Sequence, residues 1–382
     1  MDATRCTRFI DMQSLIALDL EPSQRFVDEL SRAWDSGDAI LPIDQRLPEV
    51  AKKALFEQMK PTHIVTANDR QELLDGVNVE DGDALVVATS GSTGVAKGVV
   101  LTHDAVLASA RASSTALDVQ WDDHWYSCLP LAHVGGLSVV TRSLLIGTQL
   151  TVAPRFDPDE VERHSHTCTL ISLVPTALQR IDPRKFRAIL LGGSKPPIDR
   201  PKNVIATYGL TETGSGIVYD GRPLDGVEIK ISDDDEILVR SPMNMRSYRD
   251  GSTSVDAEGW LHTGDIGWVS ENGILNVQGR RGDVIVTGSE KVWPEAVEVA
   301  IASLFEPNQF AVIGLPDSEW GERVVVATTQ TDIVLSDIKD LVLKTLPNYC
   351  VPKSIHVVES IPQTAIGKIR RVDLRQQLSA TN

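Results

Sequence analysis

The sequence lacks the features by which several classes of protein are recognised. Its 382 residues contain only four cysteines, which are widely separated and form no Cys-x-x-Cys pair. Neither a zinc site nor a disulfide framework is therefore expected. The N-terminal stretch carries charges where an export signal needs an apolar core, and the apolar residues 135–153 are interrupted by Arg142. We expect a cytoplasmic protein with no export signal and no membrane span.

Basic residues are in the minority. Thirty-seven lysines and arginines face 53 aspartates and glutamates, which gives a net charge of −16. Such an excess of negative charge repels polyanions, so nucleic acid is a poor candidate partner. The 42% of hydrophobic residues is ordinary for a folded globular chain. At about 150 residues per domain, the length predicts two or three domains.

Short apolar runs alternate with stretches of helical period from residue 84 onward. Residues 84–88 predict a strand and residues 103–117 an amphipathic helix, and the alternation continues to about residue 192. This pattern is typical of βαβ units, in which crossover helices join parallel strands. After about residue 220, short alternating runs separated by Asp and Gly turns predict a mainly β section.

The predicted fold class is α/β. We expect a large N-terminal domain with mainly parallel sheets and a β-rich subdomain, followed by a small, mobile α+β C-terminal domain. The large domain is placed at residues 1–279, a hinge at 280–282 and the small domain at 283–382. The boundary falls in a charged turn with flanking glycine, which suits a hinge.

The strongest local signal lies at residues 89–98, which read TSGSTGVAKG directly after a predicted strand and before a helical stretch. Glycines allow close backbone approach, so successive N–H groups can face an anion, and the hydroxyls and a lysine add donors and charge. The spacing is not that of a Walker A loop. We predict a phosphate-binding loop; the alternative is a flexible surface turn. The candidate residues are Thr89, Ser90, Gly91, Ser92, Thr93, Gly94 and Lys97.

This loop resembles the [ST]SG[ST]TGxxKG signature of the acyl-adenylate-forming superfamily, which includes acyl-CoA ligases, luciferases and peptide-synthetase adenylation domains. Further segments follow in the family's order: YGLTET at 208–213, TGD at 263–265 with GR at 279–280, and PQTAIGK at 362–368. The resemblance covers the chain from about residue 85 to residue 371. It implies a reaction in which a carboxylate attacks Mg-ATP to give an acyl-adenylate, after which a thiol, usually that of coenzyme A, displaces AMP.

The segment at 208–213 follows an apolar run and so lies at a predicted strand end, where open α/β sheets bind ligands. By resemblance, Tyr208 lies near adenine, Thr211 bonds the α-phosphate, and Glu212 holds Mg²⁺, a hard cation suited to carboxylate and phosphate oxygens. Asp265 and Arg280 correspond to the family's ribose pair. The alternatives are a helix-capping loop for the first segment and a turn Asp with a surface Arg for the pair.

Other assignments are also implied by the resemblance. Gly192, Gly193 and Ser194 match a segment that runs along adenine and the acyl group. His133 matches a histidine near the acyl and pyrophosphate region, although a lone histidine before a helix is as often structural.

Two residues of the small domain complete the expected machinery. Lys368 matches the lysine that bridges the substrate carboxylate and the α-phosphate, so domain closure must precede adenylation. Gly288 matches the backbone along the pantetheine channel. Two departures from the family pattern stand out: the hinge position, commonly Asp or Lys, is Gly282, and the GGEN loop reads GSEK at 288–291. The part before residue 80 is also shorter than in most relatives, so part of the usual first subdomain is expected to be missing.

The substrate is indicated by the segment at 129–152, which resembles the o-succinylbenzoate-CoA ligases of menaquinone synthesis. Such an acid carries a second carboxylate, which Arg142 could bind; alternatively Arg142 has a structural role. Another acyl- or aryl-CoA ligase, an adenylation enzyme that loads a carrier protein, and an adenylate-binding protein without turnover stay open. The expected partners are a small carboxylic acid, ATP and coenzyme A. The sequence leaves the oligomeric state open, a homo-oligomer included.

Overall fold

The computed structural model describes residues 13–90, 96–194, 196–197, 199–288, 290–364 and 369–379. Within these ranges, no helix is long and apolar enough to cross a membrane. The elements predicted from residue 84 onward are present, with ends shifted by a few residues.

The first sheet is built mainly from the N-terminal part of the chain. Its central strands are fully buried apolar runs, as expected for parallel strands covered on both faces. Helix α1 begins after Ser23, whose side chain accepts a hydrogen bond from the Phe26 amide. The elements are β1 (Leu15–Leu18), α1 (Gln24–Asp35), β2 (Ala39–Pro42), α2 (Glu49–Met59), β3 (His63–Val65), β4 (Arg70–Glu72), β5 (Asp83–Ser90) and β6 (Ala96–Thr102).

The glycine-rich segment leads into a strand and not directly into the predicted helix. Strand β6 pairs antiparallel with β5, with Thr89 opposite Lys97. The reason is local: residues 99–101 are three consecutive buried apolar residues that continue the sheet before the helix begins. Strands β5 and β6 thus form a hairpin, and Thr89, Ser90, Ala96 and Lys97 form the described base of it.

The second sheet follows the predicted alternation of strands and helices. Asp157 caps α5, accepting hydrogen bonds from the amides of Asp159 and Glu160, and Pro158 occupies the first turn. The elements are α3 (His103–Ala116), β7 (His124–Ser127), α4 (Val134–Ile146), β8 (Gln149–Val152), α5 (Pro158–His164), β9 (Leu170–Leu173), α6 (Pro175–Leu178), β10 (Ala188–Leu191), β11 (Val204–Gly209), β12 (Gly216–Tyr219) and β13 (Arg222–Pro223).

The β-rich section predicted after residue 220 forms a third, antiparallel sheet. Its strand order is β14-β15-β17-β18, while the short strand β16 leaves it and pairs with β6 of the first sheet. The elements are β14 (Glu228–Ile231), β15 (Glu236–Arg240), β16 (Ser247–Tyr248), β17 (Leu261–Val269) and β18 (Leu275–Arg280).

The C-terminal unit is a mixed sheet with helices on both faces. Alternate residues of β21 face opposite ways: Val312 packs in the cluster with α7 and α8, while Ala311 and Ile313 pack in the cluster with α9. The elements are β19 (Ile285–Thr287), β20 (Glu290–Val292), α7 (Pro294–Ile301), β21 (Phe310–Asp317), β22 (Gly321–Thr328), α8 (Leu335–Thr345), β23 (Ser354–Val357) and α9 (Arg371–Ser379).

The first two sheets share one apolar core. Helices α3 and α4 pack against each other, and their buried faces contact residues of both sheets, such as Leu101 of β6 and Trp125 of β7. In the first two sheets together, parallel strand pairs outnumber antiparallel ones, as expected. The carboxyl ends of β10 and β11 lie side by side, because these strands are parallel neighbours. That edge is where an open α/β sheet binds ligands.

Candidate active site

A triad of polar side chains lies where β11 ends. The Tyr208 hydroxyl donates a hydrogen bond to Asp265 Oδ2 at 2.9 Å, and Arg280 Nε donates to Asp265 Oδ1 at 2.8 Å. Asp265 and Arg280 are directly opposite each other on β17 and β18. The structure therefore brings the predicted adenine residue and the predicted ribose pair together, although they are up to 72 residues apart in the chain.

Tyr208 is a hydrogen-bond donor in this triad. Burial raises the pKa of its phenol, and the negative charge of Asp265 raises it further. The phenol is therefore protonated at neutral pH. Arg280 is fixed in turn by a hydrogen bond from its Nη1 to the Thr263 carbonyl at 3.0 Å.

Thr211 and Glu212 lie in a single 3₁₀ turn directly after β11. The turn is tight: a Cβ on Gly209 would lie 2.2 Å from the Ser215 carbonyl oxygen, so only glycine fits there. The Glu212 carbonyl accepts a hydrogen bond from the Met245 amide at 2.7 Å. These contacts fix the backbone of Glu212 at the same sheet edge as the triad.

A second polar group joins Glu212 to the glycine-rich hairpin. The Tyr248 hydroxyl donates a hydrogen bond to Glu212 Oε1 at 3.0 Å, and the Lys97 ammonium lies 4.5 Å from the centroid of the Tyr248 ring. Sequence reasoning missed Tyr248, because nothing in its local pattern signals a role. It reaches the site only because β16 pairs with β6.

The described part of the glycine-rich hairpin is its base. The Thr89 hydroxyl donates to the Lys97 carbonyl at 3.3 Å, and Ser90 lies opposite Ala96. Gly91, Ser92, Thr93 and Gly94 lie outside the described residues, so their predicted phosphate contacts stay predictions.

Gly192, Gly193 and Ser194 come after β10 and lie beside the end of β11. A Cβ on Gly192 would lie 2.9 Å from Thr207 Oγ1, and Gly193 has φ +88°, which favours glycine. This segment thus borders the same edge as Tyr208, and its predicted position along the adenine stays a prediction.

Arg142 is enclosed in the core and forms no salt bridge with a described carboxylate. It is 2% exposed, its Nε donates to Ser113 Oγ at 2.7 Å, and its guanidinium lies 4.9 Å from the Trp125 ring. Its Nη1 has no hydrogen-bond partner among the described residues. A cavity of about 10 Å³ adjoins it, lined also by Ser138 and Gly214.

His133 precedes α4 and contacts an acidic residue. Its Nε2 lies 3.5 Å from Asp44 Oδ2, and Arg46 donates two hydrogen bonds to the same carboxylate. Burial alone would raise the pKa of Asp44, but the contacts with His133 and Arg46 outweigh burial and hold that pKa well below its usual range. The pairing gives His133 a structural partner and leaves its predicted catalytic role a prediction.

A wide cleft of about 1410 Å³ opens beside Asp44. The ends of β1, β2, β7 and β8 form its walls, and Pro307 and Asn308 reach it from the C-terminal unit. Three arginines line it: Arg46, Arg155 and Arg180, the last with its guanidinium 5.3 Å from the Phe156 ring. The cleft lies at the junction of the two units, and the carboxylates of Glu21, Asp44, Asp157 and Glu160 line it together with these arginines.

Gly288 and Gly282 lie in the C-terminal part of the predicted site. Gly288 has φ +56°, and a Cβ there would lie 2.6 Å from the ring of Trp320, which is 47% exposed. A Cβ on Gly282 would meet nothing within 4 Å, so this hinge position is not crowded. Lys368 lies outside the described residues.

The donor set suits one hard divalent cation. Among the described residues there is no group of three or more His, Cys, Asp or Glu side chains that could hold a metal. Mg²⁺ commonly binds one or two carboxylates together with substrate phosphates. Glu212, placed next to Lys97 and the hairpin base, fits that requirement.

The fold, with a polar site at the carboxyl ends of parallel strands and a small unit beyond it, is that of a nucleotide-binding α/β protein. Residues 30–249 match the sequence profile of the AMP-binding enzyme family, and residues 296–368 match the AMP-binding enzyme C-terminal domain. The chain belongs to the AMP-binding enzyme family, which confirms the resemblance and the predicted fold class.

Relatives carry a more specific name. The 2-succinylbenzoate–CoA ligase of Bacillus anthracis (strain A0248) is 33% identical over 333 residues, or 76% of this chain and 69% of the relative. The enzyme of that name from Listeria monocytogenes is 34% identical over 329 residues, or 78% of this chain and 70% of the relative.

Several solved structures are similar to this chain over most of its length. The o-succinylbenzoate CoA synthetase from Bacillus subtilis, in complex with its acyl-adenylate intermediate, has a TM-score of 0.84 at 26% identity and covers 95% of this chain and 88% of its own. The same enzyme was solved with ATP and a magnesium ion, with a TM-score of 0.81 at 26% identity over 96% of this chain and 89% of its own. ATP-bound MatB from Rhodopseudomonas palustris is 20% identical, with a TM-score of 0.82 over 98% of this chain and 90% of its own, and shares the fold alone.

Proposed function

We propose that this protein is an ATP-dependent 2-succinylbenzoate–CoA ligase of menaquinone synthesis. One observation carries the proposal: the Tyr208–Asp265–Arg280 triad and the Glu212–Tyr248–Lys97 group meet at one sheet edge. We assign the first group to the nucleoside and the second group to the phosphates. The names of the relatives supply the substrate.

Residues from all three sheets of the large N-terminal part position the nucleotide. Tyr208 and the backbone after β10 flank the adenine, and Asp265 accepts hydrogen bonds from the ribose hydroxyls while Arg280 fixes its carboxylate. Thr211 and Lys97 hold phosphate oxygens at the hairpin. Mg²⁺, held by Glu212 and the phosphates, would neutralise charge that develops on the pyrophosphate group.

The first half-reaction joins the acid to the nucleotide. A carboxylate oxygen of the acid attacks the α-phosphorus of ATP, the bond to the β-phosphate oxygen breaks, and pyrophosphate leaves. Lys368 would supply the cation that bridges the attacking carboxylate and the α-phosphate. No side-chain nucleophile takes part.

The second half-reaction transfers the acyl group to coenzyme A. The thiol sulfur attacks the acyl carbon, the bond to the AMP oxygen breaks, AMP leaves, and the thiol proton passes to solvent. Arg155 and Arg180, which line the wide cleft at the junction of the two units, are our candidates for contacts with the phosphates of this acceptor. Gly288 would lie along the pantetheine arm.

Arg142 is our candidate for the residue that binds the second carboxylate of the acid. Its Nη1 is buried and has no hydrogen-bond partner among the described residues. The cavity beside Arg142 is also lined by Ser138, one turn earlier on α4, and by Gly214, which follows Glu212 closely in the chain. A buried guanidinium that forms no salt bridge gains most from a carboxylate ligand. The cavity now has room for about one water, so side chains must move apart as the acid enters.

A panel of carboxylic acids tests this function. With ATP, Mg²⁺ and coenzyme A, we expect pyrophosphate release and equal loss of free thiol with 2-succinylbenzoate, and slower release with benzoate and with fatty acids. Release without thiol loss would favour loading of a carrier protein. Preference for another acid would indicate a different acyl- or aryl-CoA ligase, and no release with any acid would favour an adenylate-binding protein without turnover.

A further inference from the structure

Tyr248 lies where two parts of the site meet. Its hydroxyl is 3.0 Å from Glu212 Oε1 and 3.3 Å from Ser254 Oγ, and its ring faces the Lys97 ammonium at 4.5 Å. The side chain is 8% exposed. One phenol therefore contacts both the candidate metal carboxylate and the lysine of the hairpin base.

The backbone around Tyr248 is held on both sides of the residue. Tyr248 pairs with Val99, and the amides of Arg246 and Arg249 donate to the carbonyls of Val100 and Gly98 at 3.0 and 2.6 Å. Backbone hydrogen bonds on both sides of Tyr248 thus hold β16 against β6, the strand that carries Lys97.

The flanking arginine side chains add further anchors. Arg246 donates two hydrogen bonds to the buried carboxylate of Asp83 at 2.9 and 2.8 Å. Arg249 donates to the carbonyls of Met59 and Asn78 at 3.1 and 3.0 Å. These anchors leave the phenol little freedom to move, so its position is set before any ligand binds.

The hydroxyl is a donor to Glu212. A carboxylate only accepts hydrogen bonds, so in this contact the phenol O–H donates to Glu212 Oε1. Its proton occupies one lone pair of Oε1 and leaves the other carboxylate oxygen lone pairs for a cation. A fixed carboxylate binds a metal better than a mobile one.

We propose that Tyr248 is a positioning residue: its hydroxyl fixes the Glu212 carboxylate for the metal ion of Mg·ATP, and its ring sets the place of the Lys97 ammonium. This inference rests on the proposed function, since it assigns Glu212 to the metal. It predicts two separable contributions, one from the hydroxyl and one from the ring.

The Tyr248→Phe variant tests the hydroxyl. ATP binding is measured by calorimetry in Mg²⁺ and in EDTA, and pyrophosphate release is measured as a function of Mg²⁺ concentration. We expect ATP binding to weaken about tenfold in Mg²⁺ and to stay within twofold in EDTA, with a matching rise in the Mg²⁺ concentration for half-maximal rate. Tyr349→Phe, which removes the hydroxyl of a half-exposed tyrosine in the C-terminal unit, should change neither.

The ring and the donor are tested by two more variants. Tyr248→Leu removes the ring as well and should weaken ATP binding in EDTA too, because Lys97 loses its cation–π contact. Tyr248→4-aminophenylalanine keeps the ring and places an N–H donor where the hydroxyl was, so it should recover Mg²⁺-dependent binding to within about threefold of the unmodified protein. It also serves as the second variant if the Phe variant does not fold.

The outcomes separate this inference from the proposed function. If the unmodified protein binds ATP no better in Mg²⁺ than in EDTA, the proposed function fails. If it needs Mg²⁺ but the Phe variant binds Mg·ATP equally well, or if Phe and 4-aminophenylalanine at position 248 weaken binding to the same extent, the positioning role of Tyr248 is wrong.

Discussion

The proposed choice of substrate depends mainly on one side chain, that of Arg142. A guanidinium that is 2% exposed and forms no salt bridge with a described carboxylate is unusual, because charged groups are seldom buried without a counter-ion. Stacking on Trp125 and one hydrogen bond to Ser113 offset only part of the free-energy cost of burying this charge. An anionic ligand beside the guanidinium would offset the rest of that cost.

The Arg142→Met variant tests that role. We expect kcat/KM with 2-succinylbenzoate to fall by a factor of about 10 to 100, the equivalent of one hydrogen bond to a charged group, while the value with benzoate changes less than threefold. Arg111→Met, on the exposed face of α3, should affect neither acid. An equal fall with both acids would show that Arg142 does not read the second carboxylate.

Folding stability gives a second reading of the same variant. Replacing a buried charge with an apolar side chain of similar length is often neutral or stabilising. We therefore expect the free energy of unfolding of Arg142→Met to be unchanged or higher. A loss of several kcal/mol would favour the structural role considered for this residue.

At the scale of elements, one ion pair ties a helix to two strands of the second sheet. Asp123, just before β7, accepts hydrogen bonds from Thr169 Oγ1 at 2.6 Å and from Arg187 Nε at 2.8 Å. Arg187 also donates to the Leu117 carbonyl at the end of α3 at 2.9 Å. These contacts lie at the amino ends of β7, β9 and β10, opposite the ends that carry the site, and set the position of α3 against the second sheet.

The Asp123→Asn variant tests this tie. Loss of the charged acceptor is expected to lower the free energy of unfolding by about 2 kcal/mol at pH 7, because hydrogen bonds to charged groups contribute about 1.5 to 3 kcal/mol. Urea unfolding measures it. Asp122→Asn, an exposed neighbour, should cost less than about 0.5 kcal/mol.

The same variant carries a pH prediction. Burial alone would raise the pKa of Asp123, but hydrogen bonds from Arg187 and Thr169 outweigh it and lower that pKa below its usual value. The stabilisation is therefore complete above the unfolded-state pKa of about 3.9 and is lost as the pH falls through the lower folded-state pKa. The gap between Asp123→Asn and the unmodified protein should be constant from pH 7 to about pH 5 and narrow below about pH 4. A gap that widens on acidification would contradict this assignment.

At the scale of the whole molecule, Arg371 ties α9 to α7 and to the segment next to the proposed hinge, all within the C-terminal unit. This residue is 7% exposed; it donates to Glu298 at 2.7 and 2.8 Å, and its Nη1 lies 3.4 Å from Asp283 next to the proposed hinge. The contact with Asp283 ties the start of α9 to the segment next to the proposed hinge. Lys368 is only three residues before Arg371 in the chain. A movement at residues 280–282 would therefore carry the Lys368 segment with it.

The Lys368→Ala variant tests domain rotation. If the lysine acts only in the first half-reaction, formation of acyl-AMP should fall about a hundredfold or more, while conversion of supplied acyl-AMP and coenzyme A to thioester stays within about threefold. Each half-reaction is followed separately by pyrophosphate release and by thioester formation. Lys353→Ala, at an exposed lysine of the C-terminal unit, serves as the control. Equal loss in both half-reactions would contradict rotation.

The amino-acid sequence by itself determined the features that depend on neighbours in the chain. The strands and helices after residue 84 are set by hydrophobic period, and the glycine-rich segment, Tyr208–Glu212 and Asp265 are marked by residue type and spacing. Hydrophobic period reports only which face of a short segment is buried. It could not show that residues 99–101 extend a hairpin, because a short apolar run next to a helix fits either element.

Tertiary structure alone decided which of these features meet. Tyr248 reaches Glu212 across 36 residues and Lys97 across 151, and His133 meets Asp44 across 89, so no local pattern records these contacts. Arg142 likewise reads as an arginine in an apolar helix until the packing of α3, α4 and β7 encloses it. Contacts of this kind depend on sheet pairing and helix packing between distant segments, and those arise only when the whole core is assembled.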